Sequence, residues 1–146
     1  MANAARAIII EDGKMLLMHR NKNGKQYFTL VGGRLQDQEA PEQALAREVK
    51  EETGLDVVKC RLVYLEEHSE PYNNQYIFVC ELAPHGEAVI QSTSEEALLN
   101  RISTNIHQPV WVDVASFSGL PFLTMNLQAV IAKALKKGFP AEPTKL

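Results

Sequence analysis

Three carboxylates crowd one short stretch of the chain. Glu48, Glu51 and Glu52 fall in the run Arg47-Glu48-Val49-Lys50-Glu51-Glu52, and spacings of three and four residues bring side chains together on one helix face. At about 100° per residue, with Leu45 as the reference direction, Val49 and Thr53 lie within roughly 80° on one side. Ala46 lies just beyond them, and the three glutamates span an arc of about 100° on the other side. The apolar arc can dock on a sheet while the carboxylates line its edge. Like charges this close repel, by about 1 kcal/mol at 4 Å in water and by several in a partly buried cleft. A divalent cation turns that repulsion into ligation, and hard oxygen ligands suit Mg²⁺. Arg47 stands four residues before Glu51, placed to pair with it and fix its rotamer. Taken alone, the same string also reads as a solvated acidic helix face.

The surrounding sequence supplies the elements that would position this face. Pro41 stands at a favoured first helical position, and Pro41–Thr53 is rich in Ala, Glu, Leu, Lys and Arg, all good helix formers. Gly54 follows where a C-terminal cap is wanted. Upstream, Ala5–Ile10 and Lys14–Arg20 are apolar segments joined at Asp12-Gly13, a strong hairpin signal. Asn21–Lys25 reads as a polar loop, and Tyr27–Val31 as a short strand ended by Gly32 and Gly33. Downstream, Val57–Glu66, Gln75–Leu82 and Val110–Val114 are strand candidates, Ala88–Gln91 is a shorter one, and Leu127–Lys137 is an amphipathic helix. Mixed strands with two helices predict an α/β sandwich on a mixed sheet. A single domain is expected over 1–140, followed by a short tail, 141–146.

The acidic string belongs to a longer pattern. Gly33, five residues, Glu39, seven residues and Arg47-Glu48-Val49 are followed by the free position Lys50. Glu51-Glu52, Thr53, Gly54 and Leu55 complete the run. This stretch resembles the box of the Nudix hydrolases at all nine specified positions over 23 residues. Two features depart from common family usage outside the specified positions: Val31 where many members have Pro, and Gln36 and Gln38 where Glu and Gly are frequent.

The resemblance implies a Nudix-type α/β/α sandwich with a central mixed β-sheet. It also implies hydrolysis of a phosphoanhydride in a nucleoside diphosphate linked to another moiety. Carried over by position, Glu48, Glu51 and Glu52 would be metal ligands joined by the Gly33 carbonyl, with Mg²⁺ as the cofactor and Mn²⁺ as an alternative. Arg47 would orient Glu51, and Glu39 would brace the loop or join the acidic cluster. Glu48, or a further Glu outside the box, would assist deprotonation of the attacking water. Glu95 and Glu96 stand where relatives often place such a Glu, although Ser94-Glu95-Glu96 also reads as a capped helix start.

Other residues carry two readings each. Arg20 contacts phosphate or is an exposed structural arginine. Tyr72, Tyr76, Phe78 and Phe122 could stack a base, with Tyr76 and Phe78 placed rather in the core. Asn126 hydrogen-bonds a base or caps the last helix. His19, His68, His85 and His107 have no ligand spacing, and His68 reads as solvated. In some subfamilies a Pro beyond the box goes with ADP-ribose hydrolysis and a Tyr with dinucleoside polyphosphate hydrolysis. Pro71 and Tyr72 point both ways.

Composition narrows the remaining classes. The 146 residues are 45% apolar and 23% charged, an ordinary globular balance, with no apolar run near the ~20 residues of a membrane span. The N-terminal segment reads as a strand rather than a secretory signal. Cys60 and Cys80 read as buried, reduced thiols, and the expected location is cytoplasmic. A net charge of −3 argues against broad binding to nucleic acid, which also disfavours removal of pyrophosphate from RNA 5′ ends. A small nucleotide substrate fits if the site is locally positive. The alternative is a silent Nudix-fold module that binds nucleotide without turnover. Dimerisation is common in the family, and a homodimer is a further expectation without a visible interface.

Overall fold

The structure is a computed structural model that describes residues 2–67, 72–90 and 105–146. Among these residues, seven strands form one sheet in the order β6-β2-β3-β1-β5-β4-β7. They are β1 (Ala4–Glu11), β2 (Lys14–Lys22), β3 (Lys25–Arg34), β4 (Val57–Glu67), β5 (Asn74–Leu82), β6 (Asn105–Asp113) and β7 (Thr144–Lys145). The β1–β5 and β4–β7 pairings are parallel and the others antiparallel, so the sheet is mixed, as expected.

Strand alternation splits the apolar residues between two cores. Ala5, Ala7 and Ile9 of β1, with Leu16 and Met18 of β2, face helix α1 (Pro41–Thr53) and pack against Leu45 and Val49. Ile8, Met15 and Leu17 point the opposite way, toward helix α2 (Met125–Lys137), and pack with Phe117, Leu127 and Ile131. Helices on both faces of a mixed sheet make the predicted α/β/α sandwich. No helix among the described residues is long and apolar enough to cross a membrane.

Several boundaries differ from those the sequence suggests. The polar stretch Asn21–Lys25 is a strand hairpin: β2 runs on to Lys22 and β3 begins at Lys25, with positive φ at Asn23 and Gly24. The side chain of Asn21 accepts from the Gly24 N–H at 3.1 Å and closes the turn. Strand β3 also continues through both glycines to Arg34, because residues 31–34 pair with 7–4 of β1. Ala88–Ile90 forms no strand. The segment 141–146 carries β7, and the Leu146 N–H donates to the Leu65 carbonyl at 2.8 Å. Cys60 and Cys80 are free thiols lying opposite each other on β4 and β5.

Candidate functional site

Helix α1 begins and ends where its sequence marks it. Pro41 follows Ala40, which has no capping oxygen. The Gln43 side chain instead reaches back to accept from the Ala40 N–H at 2.8 Å. Gly54 takes φ 75° and donates its N–H to the Lys50 carbonyl at 2.8 Å. The helix is thereby held with Glu48 and Glu52 turned toward the glycines of β3.

That contact is close. Gly32 donates its N–H to Glu52 Oε1 at 2.6 Å. At Gly33 a Cβ would lie 2.6 Å from the Glu48 carboxyl carbon, so only glycine leaves room for Glu48 where it stands. Glu48 is 8% exposed and Glu52 3%, whereas the Glu51 side chain is 39% exposed at the rim. The acidic arc is therefore divided, with two carboxylates inside and one at the edge.

Arg47 is organised differently from the i,i+4 expectation. Its Nε and Nη2 grip both oxygens of Glu39 at 2.8 and 2.9 Å, and Nη1 reaches Glu48 at 2.9 Å. Glu51 is the more distant contact, at 3.4 Å. The Arg47 hydrogen bond holds the Glu39 pKa down at about 2, and Glu39 in turn raises that of Arg47. Glu39 also accepts from the Gln36 N–H at 2.9 Å and so braces the loop ahead of the helix.

A cleft of about 310 Å³ opens over this acidic pair. Arg6, Arg20 and Arg34 line it with Thr29, Gly32, Gly33, Tyr72 and His107. It shares Arg6, Arg20, Thr29, Arg34 and Tyr72 with a neighbouring cavity of about 400 Å³ that reaches Lys22 and Tyr27. Among the described residues, none of the three arginines forms a salt bridge. Arg20 Nε is buried without a hydrogen-bond partner among them, while its Nη2 donates to Asn105 Oδ1 at 3.0 Å. A chain of net charge −3 thus concentrates three arginines, without a salt bridge among the described residues, beside two buried carboxylates, which suits a polyanion.

Other sequence candidates land in varied places. Arg20 and Tyr72 line the cleft, but the Arg6 and Arg34 guanidinium groups already lie over the Tyr72 ring, at 5.4 and 5.7 Å. Phe122 is buried and meets Phe117 edge-on at 5.1 Å. It also lines a more apolar cavity of about 610 Å³ beside the β2–β3 hairpin, away from the glutamates. Asn126 is exposed within α2, and the cap is Thr124, which accepts from the Leu127 N–H at 3.3 Å. Phe78 is core, and Tyr76 packs partly buried against it. Glu95, Glu96 and His68 lie outside the described residues.

Arg6, Arg34, Thr29 and His107 were not singled out by sequence. Only Arg6 carried a signal there, as a lone charge inside the apolar segment Ala5–Ile10. His107 is buried, and that burial, followed by the charge of Arg20, pushes its pKa down to about 4.

Comparison with known proteins places the chain in a family. An 8-oxo-dGTP diphosphatase of Proteus vulgaris is 47% identical over 45 residues, 31% of this chain and 40% of that protein. An ADP-ribose pyrophosphatase of Methanocaldococcus jannaschii is 47% identical over 55 residues, 37% of this chain and 32% of that protein. The chain thus matches well under two thirds of the length of these curated relatives. The crystal structure of an ADP-ribose pyrophosphatase from Streptococcus suis superposes with a TM-score of 0.68 at 20% identity, covering 99% of this chain and 98% of that one. That likeness shows the fold. The NUDIX domain model matches residues 1–133, and with the acidic helix seated under the two glycines of β3, the chain belongs to the NUDIX domain family.

Proposed function

We propose that the protein is a Mg²⁺-dependent pyrophosphohydrolase, with Mn²⁺ able to substitute, that cleaves a phosphoanhydride in a nucleoside diphosphate linked to another moiety. The observation that carries this reading is the pairing of two buried carboxylates, Glu48 and Glu52, with Arg20 and Arg34, which form no salt bridge among the described residues, in one cleft. Relatives named 8-oxo-dGTP diphosphatase and ADP-ribose pyrophosphatase support the substrate class. The substrate would be a nucleoside triphosphate, ADP-ribose, a nucleotide sugar or a dinucleoside polyphosphate.

The donor set fits a hard cation in a particular way. Among the described residues no three His, Cys, Asp or Glu side chains converge into a ready-made cluster. Mg²⁺ commonly takes one or two carboxylates and completes its shell with water and substrate phosphate. Glu48 and Glu52 would hold it, with the Gly33 carbonyl and Glu51 at the rim as further ligands. When bound, it would offset phosphate charge and lower the pKa of a coordinated water.

The protein's own groups supply the rest. Arg20 and Arg34 would pair with phosphate oxygens, for which a planar guanidinium is suited. Arg47 is committed to Glu39 and Glu48 and would keep the Glu48 carboxylate in place. One carboxylate of the helix would accept the proton of the attacking water as the new P–O bond forms and the anhydride P–O bond breaks. Positioning and charge stabilisation supply most of the rate in such displacements.

The test is release of phosphate or nucleotide from nucleoside triphosphates, ADP-ribose, nucleotide sugars and dinucleoside polyphosphates. Wild type is compared with Glu51→Gln and Glu52→Gln, with and without chelator. Metal-dependent turnover that Glu52→Gln abolishes supports the reading. An inert wild type that still binds nucleotide would establish the silent module instead.

A further inference from the structure

Arg6 lines the cleft, yet its donors are largely spent on the protein. Nε donates to Gln75 Oε1 at 3.1 Å, and Nη2 to the Tyr72 hydroxyl at 2.8 Å. Nη1 donates to the carbonyls of Gly32 and Leu30 at 3.0 and 3.4 Å. A guanidinium whose purpose was to clamp a ligand would keep a fork of two parallel N–H groups open. Here one arm of the fork, Nη1, is turned onto the backbone of β3 and the other, Nη2, onto the Tyr72 hydroxyl.

The residue it holds there is the one that holds Glu52. Gly32 accepts from Arg6 through its carbonyl and donates its own N–H to Glu52 Oε1 at 2.6 Å. The backbone at this point is unusual, with φ +135°, and a Cβ would run into the Ala5 carbonyl oxygen. A glycine with that freedom needs something to fix the plane of its flanking peptides, and Arg6 grips it from outside the strand.

Arg6 is itself held from behind. Gln75 Nε2 donates to Glu66 Oε1 at 2.9 Å, and Thr124 Oγ1 donates to Glu66 Oε2 at 3.3 Å. Gln75 and Glu66 are 6% and 8% exposed. In so dry a setting a carboxylate next to the Gln75 amide polarises it and strengthens its acceptor oxygen toward Arg6.

We propose that Arg6 is a positioning residue for Glu52, acting through the Gly32 peptide, and that Gln75 and Glu66 lock its guanidinium in that role. The hydrogen-bonded chain Glu66–Gln75–Arg6–Gly32–Glu52 sets the orientation of a carboxylate that the proposed function assigns to divalent cation, so this inference rests on that reading. Partners behind a metal ligand typically change metal affinity 10–100-fold when removed.

The experiment measures Mn²⁺ binding without substrate, by electron paramagnetic resonance, alongside kcat and KM for a nucleotide that wild type hydrolyses. The variants are Arg6→Lys, Gln75→Met, and the exchange Gln75→Glu with Glu66→Gln. The exchange keeps an acceptor for Arg6 Nε, a donor between the two side chains and an acceptor for Thr124. Gln75→Met is expected to weaken Mn²⁺ binding by about tenfold and to lower kcat similarly, with KM within twofold. The exchange is expected to restore both to within about threefold of wild type. If Mn²⁺ binding is unchanged in Arg6→Lys and Gln75→Met while KM rises, Arg6 is a phosphate ligand and the proposal fails. It fails equally if the exchange is no better than Gln75→Met. A wild type that neither binds Mn²⁺ nor turns over overturns the proposed function itself, an outcome separate from these.

Discussion

Arg47 and Glu39 are joined by two parallel contacts of 2.8 and 2.9 Å, across eight residues of sequence and across the loop-to-helix junction. The pair fixes the loop that follows β3 to the second turn of α1, and Arg47 passes the constraint on to Glu48.

Glu39→Gln should therefore loosen the junction. One of two charge-assisted contacts remains at most, and the expected loss is about 1–2 kcal/mol, read as a lower urea midpoint at pH 7. The Arg47 hydrogen bond holds the Glu39 pKa down at about 2, below the ordinary 4.5. Its contribution is thus complete above pH 4.5 and is lost as the pH falls toward 2. Wild type and variant should differ in stability at pH 7 and converge near pH 2.

The two glycines of β3 should respond in opposite ways to alanine. At Gly32 the obstacle is backbone and the φ is one that side chains rarely adopt, so Gly32→Ala should cost several kcal/mol and impair folding. At Gly33 the obstacle is the far end of the Glu48 side chain, which can move. Gly33→Ala should remain folded by circular dichroism and lose at least tenfold in kcat. Equal stability of the two variants would contradict this.

His107 makes a distinct pH prediction. Its folded pKa of about 4 lies below the ordinary 6.5, so between those values the unfolded chain binds the proton and the folded chain does not. Stability therefore falls as the pH drops from 6.5 to 4 and is unaffected by this group above 6.5. His107→Gln should reduce the difference in urea midpoint between pH 7 and pH 5. An identical pH dependence in wild type and variant would refute it.

Arg20→Gln should raise KM for a nucleotide substrate about tenfold with kcat within threefold, and should weaken the dependence of KM on salt. Removing this charge, which helps depress the His107 pKa, should also move that pKa upward. Proton resonances of the ring followed across pH would show it.

Local chemistry made much of this molecule legible from its sequence. Pro41, Gly54 and the Asp12-Gly13 turn each act within a few residues of where they stand, and the box spacing identified the acidic helix. Asn23-Gly24 is an equally local hairpin signal, masked by the polarity of the residues around it. Asn126 lost the capping position to Thr124 because the helix starts earlier than its apolar periodicity suggests. Arg6, Arg34, Thr29 and His107 lie on β1, β3 and β6 and share a cleft only because the sheet order interleaves distant strands. Such a grouping has no signature in spacing. For the same reason, Arg47 found its main partner eight residues away across a loop rather than four residues along its own helix.

The parallel register of β1 and β5 aligns Ala4–Ile9 with Gln75–Cys80, and this dictates an order of assembly. On a ribosome, β1 cannot pair with β5 until β2, β3, α1 and β4 have all been made. The hairpin of β1 and β2 must wait with an apolar edge unsealed, since long-range strand pairing is intrinsically slow. The interval before β5 arrives is when the nascent chain is most exposed to self-association, and chaperone capture would matter most there.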